Sequence, residues 1–402
     1  MRYGYFDDEK REYIVERVDA PFSMTNYLGT QRMGAVLSHN AGGYCWLDSP
    51  QYHRITRFRP NGVPMDWPGH YVYLRDDENG DFWSISWQPT GKSLAQANYA
   101  CRHGLSYSTY TCDYDGIQAS QTLFIPREHG SDDPVEIFDV RLCNHSDAPR
   151  TLSVFGYVEF SFHHIEMDQQ NFQMSLYATG SQYLDGAALC EYQYEENSWQ
   201  FFTASFDPDS FDGQRDTFIG AYHTERDPIG VQEGKLSGSF GPCGNPCGAL
   251  HKRLTLLPGE EKRILFYLGT GDEHAAKQAK IRYDAAGTDK AFDELKQWWD
   301  SKLSMLTVHT PHAKMNTSLN IWNLYQSEIN VLFSRFASFI EVGGRAGLGY
   351  RDTAQDAMCI PHAEPNGCKM RMEQLLHGQV SAGYGLHLFD PAWFEVGPHP
   401  RF

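Results

Sequence analysis

The hydrophobic period of this chain changes once, near Gly271, and that change constrains its fold more than any other feature. Before it, apolar residues recur in short alternating runs; after it, they recur at helical spacing. Residues 134–144 (PVEIFDVRLCN) place Val135, Ile137, Val140 and Leu142 roughly in step. The β-branched and aromatic run RTLSVFGYVEFSF (150–162) follows the turn HSDAP. KRLTLLPGEEKRILFYLGTG (252–271) reads as a hairpin, two apolar strands around Pro258-Gly259. Many such strands predict a large β-sandwich. Beyond Gly271, residues 289–306 space Phe292, Leu295, Trp299, Leu303 and Leu306 for a linker helix lying against that sandwich. Residues 315–333 carry Met315, Leu319, Trp322, Tyr325, Ile329 and Leu332 as the stripe of one long helix. A third helical stretch is predicted near 371–387, weakened by Gly378, Gly383 and Gly385.

Charge and cysteine usage exclude several roles. The formal net charge of −17 argues against nucleic acid or an anionic membrane surface as partner, since both need a basic footprint. No apolar run approaches the ~18 residues of a membrane span, and the opening MRYGYFDDEKREY lacks the apolar core of a signal peptide. The 9 cysteines are odd in number and scattered, which suits a reducing cytosol better than a disulfide framework. Cys243 and Cys247, in GPCGNPCG, lack two further ligands at matching spacing, so they read as loop thiols and no metal site is predicted. Asn144 and Asn316 lie in N-x-[ST] sequons, which carry meaning only in a secreted protein. The aromatic share of 14% has two readings, stacking surfaces for sugar rings or an aromatic-rich β core.

The densest chemistry lies at 341–356, EVGGRAGLGYRDTAQD. Glycines at 343, 344, 347 and 349 let the backbone turn sharply and approach a ligand. Arg345 and Arg351 offer guanidinium forks for an anion. Asp352 and Asp356, spaced i, i+4, share a face if the segment past Tyr350 is helical, and carboxylates beside arginine suit sugar hydroxyls. Plainer readings stand beside this one. Asp352 could cap a helix with Gln355 completing a capping box, Asp356 could pair with Arg351, and Arg345 could be a solvated loop charge. The glycine run follows a helix, not a strand, so it is not a dinucleotide fingerprint. His163 and His164, at a strand end, read as surface histidines.

That segment is one of several with a common resemblance. The opening MRYGYFDDEKREYIVERVDAPFSMTNYLGT, SHNAGGYCW (38–46), RITRFRPNGVP (54–64), GDFWSISWQP (80–89) and RHGLSYS (102–108) are similar to inverting disaccharide phosphorylases of glycoside hydrolase family 94. So are GYVEFSFHH (156–164), GQRDTFIGAY (213–222), SRFASFIEVGGRAGLGYRDTAQD (334–356) and GYGLHLFDPAWF (383–394), so the resemblance runs along the whole chain. It implies a fold that is mainly β and then α: a β-supersandwich over 1–271, a helical linker over 272–310, and over 311–402 the start of an incomplete (α/α)6 catalytic barrel. A complete barrel needs about twelve helices of ~11–12 residues, so the resemblance implies a truncated one.

The same resemblance implies a reaction. A β-linked disaccharide, N,N'-diacetylchitobiose or cellobiose, is cleaved by inorganic phosphate with inversion to an α-sugar 1-phosphate and a free sugar. Arg345 resembles the phosphate-contacting arginine; Arg351 and Asp352 resemble residues that hold the sugar where the bond is cut, and Gln355 and Asp356 belong to the same motif. The catalytic acid has no counterpart in this chain, so no residue is assigned that role. The family implies a homodimer; no cofactor is expected, since phosphate is a substrate, and the charged N-terminus and scattered cysteines point to the cytoplasm. Two alternatives remain: a non-catalytic carbohydrate-binding or dimer-forming sandwich, and a hydrolase, which would need a second carboxylate to activate water.

Overall fold

The computed structural model describes residues 2–389 apart from 31, 60–64, 128–133, 162–163, 172–175, 194–197, 334–336, 340–341 and 345–346. Three antiparallel sheets enclose the main core. The largest has ten strands, in the order Gly4–Asp7, Glu12–Val15, Asn98–Gly104, Tyr107–Tyr114, Ile117–Phe124, Val135–Asn144, Glu261–Thr270, Trp199–Ala204, Ala187–Tyr192 and Thr179–Leu184. A five-stranded sheet runs Ser210–Gln214, Pro246–Leu256, Arg150–Glu159, Tyr71–Asp76 and Phe82–Ser84. Thr25–Gly29, Met33–Ser38 and Gly43–Leu47 form a third.

Two central strands of the large sheet are buried on both faces along part of their length, at 135–138 and 264–269, which explains why apolar residues stand there at both parities. Phe138, Val140, Phe266 and Leu268 point into the sandwich core with Tyr71, Tyr73, Phe155 and Tyr157. Their alternates Val135, Ile137, Leu265 and Tyr267 point the other way, onto Ala276, Leu295, Trp299 and Tyr325 of the helices. Many of the large aromatics are core: Trp46, Trp83, Trp299 and tyrosines 44, 71, 73, 110, 157, 267 and 325 are fully buried.

The hairpin expected at 252–271 does not form. Pro246–Leu256 pairs with Arg150–Glu159 in the five-stranded sheet, whereas Glu261–Thr270 pairs with Val135–Asn144 in the large one. Pro258-Gly259 therefore arches the chain from one sheet to the other, as the HSDAP turn does for 135–144 and 150–159. Asn144 ties the two arches together: its side-chain amide donates to the carbonyls of Ala148 (2.8 Å) and Leu256 (3.0 Å), and its backbone carbonyl accepts from Gly259 (2.7 Å). This sequon asparagine is a buried structural residue.

The helices differ from expectation in their bounds and, over 315–333, in the face they bury. Asp272 caps Glu273–Arg282, accepting from the amides of His274 and Ala275, and Asp284 caps Ala285–Leu303, accepting from Gly287. Leu295, Trp299 and Leu303 are buried as the spacing predicts, but the helix stops at Leu303 and Leu306 is exposed. The 315–333 helix is interrupted: Ala313–Thr317 runs into a π-helical turn at Ser318–Trp322 before Asn323–Phe333. The wider turn shifts the buried stripe to Ile321, Leu324, Tyr325 and Ile329, leaving Met315 and Leu319 outside. The third helix is Pro365–His377, begun by Pro365 in its first turn with Glu364 as cap and ended at Gly378. Residues 379–387 lie beyond it and lead to Leu388–Phe389, which pairs with Leu348–Gly349.

Candidate functional site

The motif helix is Tyr350–Ala357. Its N-cap is Gly349 and not Asp352, which sits in the first turn, so the capping-box reading fails. At about 100° per residue, Arg351, Gln355, Asp352 and Asp356 fall in that order around one arc, with Thr353 and Ala357 opposite. Burial follows: Arg351, Asp352 and Gln355 are exposed, Thr353 and Ala357 are buried, and Asp356 lies buried at the edge of the arc. The structure thus brings four of the five sequence-predicted site residues onto one side of a helix. Arg345 lies outside the described residues.

Close packing sets where this helix begins. The ring of Tyr350 lies on Gly385, where an added Cβ would come within 2.4 Å of it. The backbone amide of Tyr350 donates to the carbonyl of His387 at 3.4 Å. The Asp352 carboxylate folds back toward the chain entering the helix, 3.3 Å from where a Gly349 Cβ would stand. A carboxylate there complements the dipole of the helix start.

The loop upstream is held by the sandwich. The fully buried Arg54 donates to the carbonyls of Val342 (2.6 Å) and Pro50 (3.1 Å), and its guanidinium lies 3.8 Å from the centre of the Tyr44 ring. Tyr44 in turn donates its hydroxyl to the carbonyl of Ser338 at 2.7 Å. Val342 and Gly343 both have positive φ, 54° and 69°, and a Cβ on Gly343 would come within 2.5 Å of the Arg54 guanidinium. Burial lowers Arg54 to about 10, and it stays a cation at neutral pH. These supports escaped sequence reasoning because they act across 288 and 294 residues of chain. Their only signal was membership in the quoted segments 38–46 and 54–64.

Arg57 and Arg59 of the second segment also join a buried ion network on the sandwich. Glu159 receives Arg59 (2.8 Å), Arg215 (2.6 Å) and the Tyr157 hydroxyl (2.9 Å); Arg215 also reaches Glu225 (2.7 Å), and Arg57 reaches Asp168 (3.0 Å). Burial alone would raise Glu159, but Arg59, Arg215 and Arg57 outweigh it and hold the carboxyl well below its ordinary range. Glu225 goes the other way, raised by burial and by its neighbour Glu159. Of the two histidines predicted at the surface, His164 is partly buried against Tyr52, 5.3 Å between ring centres, and His163 lies outside the described residues.

All 9 cysteines are free thiols, Cys243 exposed and Cys247 buried. Among the described residues, one group could hold a metal ion: Cys45, His70 and Glu136. Sequence reasoning missed it, because its members come from three separate elements and no ligand spacing announces them.

The description "Glycosyl hydrolase 94, supersandwich domain" fits residues 11–285, and "Glycosyl hydrolase 94 superfamily, catalytic domain" fits residues 298–401. The chain belongs to glycosyl hydrolase family 94. Within family 94, N,N'-diacetylchitobiose phosphorylase of Vibrio proteolyticus is 52% identical over 398 residues, which cover 98% of this chain and 49% of that protein. Solabiose phosphorylase of Paenibacillus borealis is 28% identical, over 99% of this chain and 50% of its own length. The chain thus spans about half the length of the curated relatives it matches. Among solved structures, a bacterial glucoamylase complexed with acarbose has a TM-score of 0.58 at 9% identity, covering 92% of this chain and 52% of its own. That likeness concerns the fold alone.

Proposed function

We propose that this chain is the sandwich-bearing part of an inverting disaccharide phosphorylase. It would act on a β-linked disaccharide, N,N'-diacetylchitobiose ahead of cellobiose, and on inorganic phosphate. The observation that carries this reading is the 52% identity to an N,N'-diacetylchitobiose phosphorylase over 98% of the chain. In this reading Arg351, Asp352 and Gln355 reach the sugar from the exposed side of the motif helix, and Asp356 steadies that side from its buried edge. Arg345 follows in sequence the stretch that Arg54 and Tyr44 hold, and in this reading it binds phosphate.

The chemistry follows from what phosphate needs. A carboxylic acid protonates the glycosidic oxygen while phosphate attacks the anomeric carbon from the opposite face, in the geometry of an inverting glycosidase. Phosphate is already nucleophilic, so it needs positioning and charge compensation and no general base. Arginines supply that compensation. The acid is assigned to the portion of the relatives that this chain does not span. The free thiols suit a reducing compartment, and we place the protein in the cytosol as a homodimer.

The test is the product of the native gene, incubated with each disaccharide with and without phosphate while sugar 1-phosphate and free sugar are measured. Phosphate-dependent release of both products is expected, faster from N,N'-diacetylchitobiose. Cleavage without phosphate would make the protein a hydrolase. Sugar binding with no cleavage, from a product of 45.8 kDa, would leave a carbohydrate-binding sandwich.

A further inference from the structure

Near the centre of the sandwich, Cys45, His70 and Glu136 form a closed polar group. A thiol sulfur, an imidazole nitrogen and a carboxylate oxygen lie within 4.8 Å of one another, and all three residues are fully buried. Glu136 Oε1 is 3.1 Å from His70 Nδ1. His70 Nε2 is 3.2 Å from the Thr56 hydroxyl, which lies 3.5 Å from the Cys45 sulfur. The second carboxylate oxygen, Glu136 Oε2, is buried with no hydrogen-bond partner among the described residues.

A buried carboxylate with one oxygen unmet is costly whether or not His70 is protonated. A divalent cation between thiolate, carboxylate and neutral imidazole removes the problem, because the charges sum to zero and the orphaned oxygen gains a partner. The mixed sulfur, nitrogen and oxygen donor set suits zinc, and does not suit calcium or magnesium, which take oxygen ligands.

We propose that Cys45, His70 and Glu136 form a structural zinc site, with the Thr56 hydroxyl beside the fourth position. Binding breaks the Cys45 S–H bond, releases that proton to solvent and forms a sulfur–zinc bond; no electron changes hands. Zinc must displace that proton, so its affinity falls in acid. The site would clamp three sheets at one point. Cys45 lies in Gly43–Leu47 of the three-stranded sheet, His70 leads into Tyr71–Asp76 of the five-stranded sheet, and Glu136 lies in Val135–Asn144 of the large sheet.

The experiment is metal analysis of the whole protein, produced with zinc in the medium and passed through a desalting column. Stoichiometric zinc is expected in the wild type, with affinity reduced by more than the ~10–100-fold that losing an outer-shell partner causes in both Cys45→Ala and Glu136→Gln. Refolding the wild type with Co2+ should give a thiolate-to-cobalt charge-transfer band. Should Cys45→Ala fail to fold, Glu136→Gln, which can still bond to His70, carries the comparison. A folded wild type free of metal, with no cobalt band and a melting temperature indifferent to zinc, overturns the proposal. So does zinc retained undiminished in a folded variant.

Discussion

The sandwich turns charged side chains inward, whereas the helical region leaves apolar ones outside. Arg54, Arg57, Glu136 and Glu159 lie among the strands at 3% exposure or less. On the helices and their connections, Met358, Met372 and Leu376 stand 77%, 55% and 62% exposed. A buried charge is tolerated only when its partners are fixed, so each one in the sandwich ties distant segments together. The motif helix carries Arg351, Asp352 and Gln355 on the surface, where fixing them contributes little to folding. Stability and ligand recognition should therefore separate along the chain.

The largest expected effect is in the sandwich. Glu159→Ala leaves Arg57, Arg59 and Arg215 without their shared anion and should destabilise by ~3–5 kcal/mol in urea unfolding. The wild type carries a pH signature of the same residue. The folded-state pKa of Glu159 lies below its unfolded value near ~4.3, so its contribution is complete above that value and fades as pH falls through the acid range. The variant should lack that part of the acid loss; an unchanged slope would contradict it.

Lys302→Met asks whether the helical region contains a comparable lock. Lys302 sits 2.7 Å from both Glu328 and Glu364, and Glu328 is buried. Its removal should cost about 3 kcal/mol, and adding Glu328→Leu should recover much of that. No recovery in the double variant would mean that the pair matters less than the packing of the lysine stem.

Arg54→Met lies on the seam between the two regions. It removes charged hydrogen bonds, each contributing ~1.5–3 kcal/mol, and should free Val342 and Gly343 to exchange their amide hydrogens faster while the strand amides of 135–144 stay protected. Uniform loss of protection would show that the seam is not a separable unit. The smallest stability effect belongs to Arg351→Ala, within ~0.5 kcal/mol of wild type. In the whole enzyme it should weaken sugar binding, measured calorimetrically; unchanged binding would remove Arg351 from the site.

The same division decides what could be read from the sequence. The alternation in 135–144 and the helical spacing around Trp299 are local patterns, and both survive folding. Pro258-Gly259 between two apolar runs looks the same whether those strands pair with each other or arch between sheets, and only their distant partners decide. The π-helical turn at Ser318–Trp322 was invisible for a similar reason, since nothing in its residues opposes an ordinary α-helical register. The shared face of Asp352 and Asp356 was legible from their i, i+4 spacing, whereas Arg351 and Gln355 were read as sugar-site residues through the motif they belong to. The burial of Asp356 was not legible, because it depends on what packs beside the helix. Arg54 and Glu159 were equally hidden, since a buried ion network has no spacing rule.

The double burial of the central strands at 135–138 and 264–269 bears on modularity. A wall shared by two rooms cannot be removed with one of them. A sandwich excised at Thr270 would keep Val135, Ile137, Leu265 and Tyr267 but lose the helices that roof them, baring an apolar sheet face to water. Such a fragment should self-associate, so the sandwich of this protein is not a portable sugar-binding cassette. Any graft or chimera has to carry the helix Ala285–Leu303 along with it.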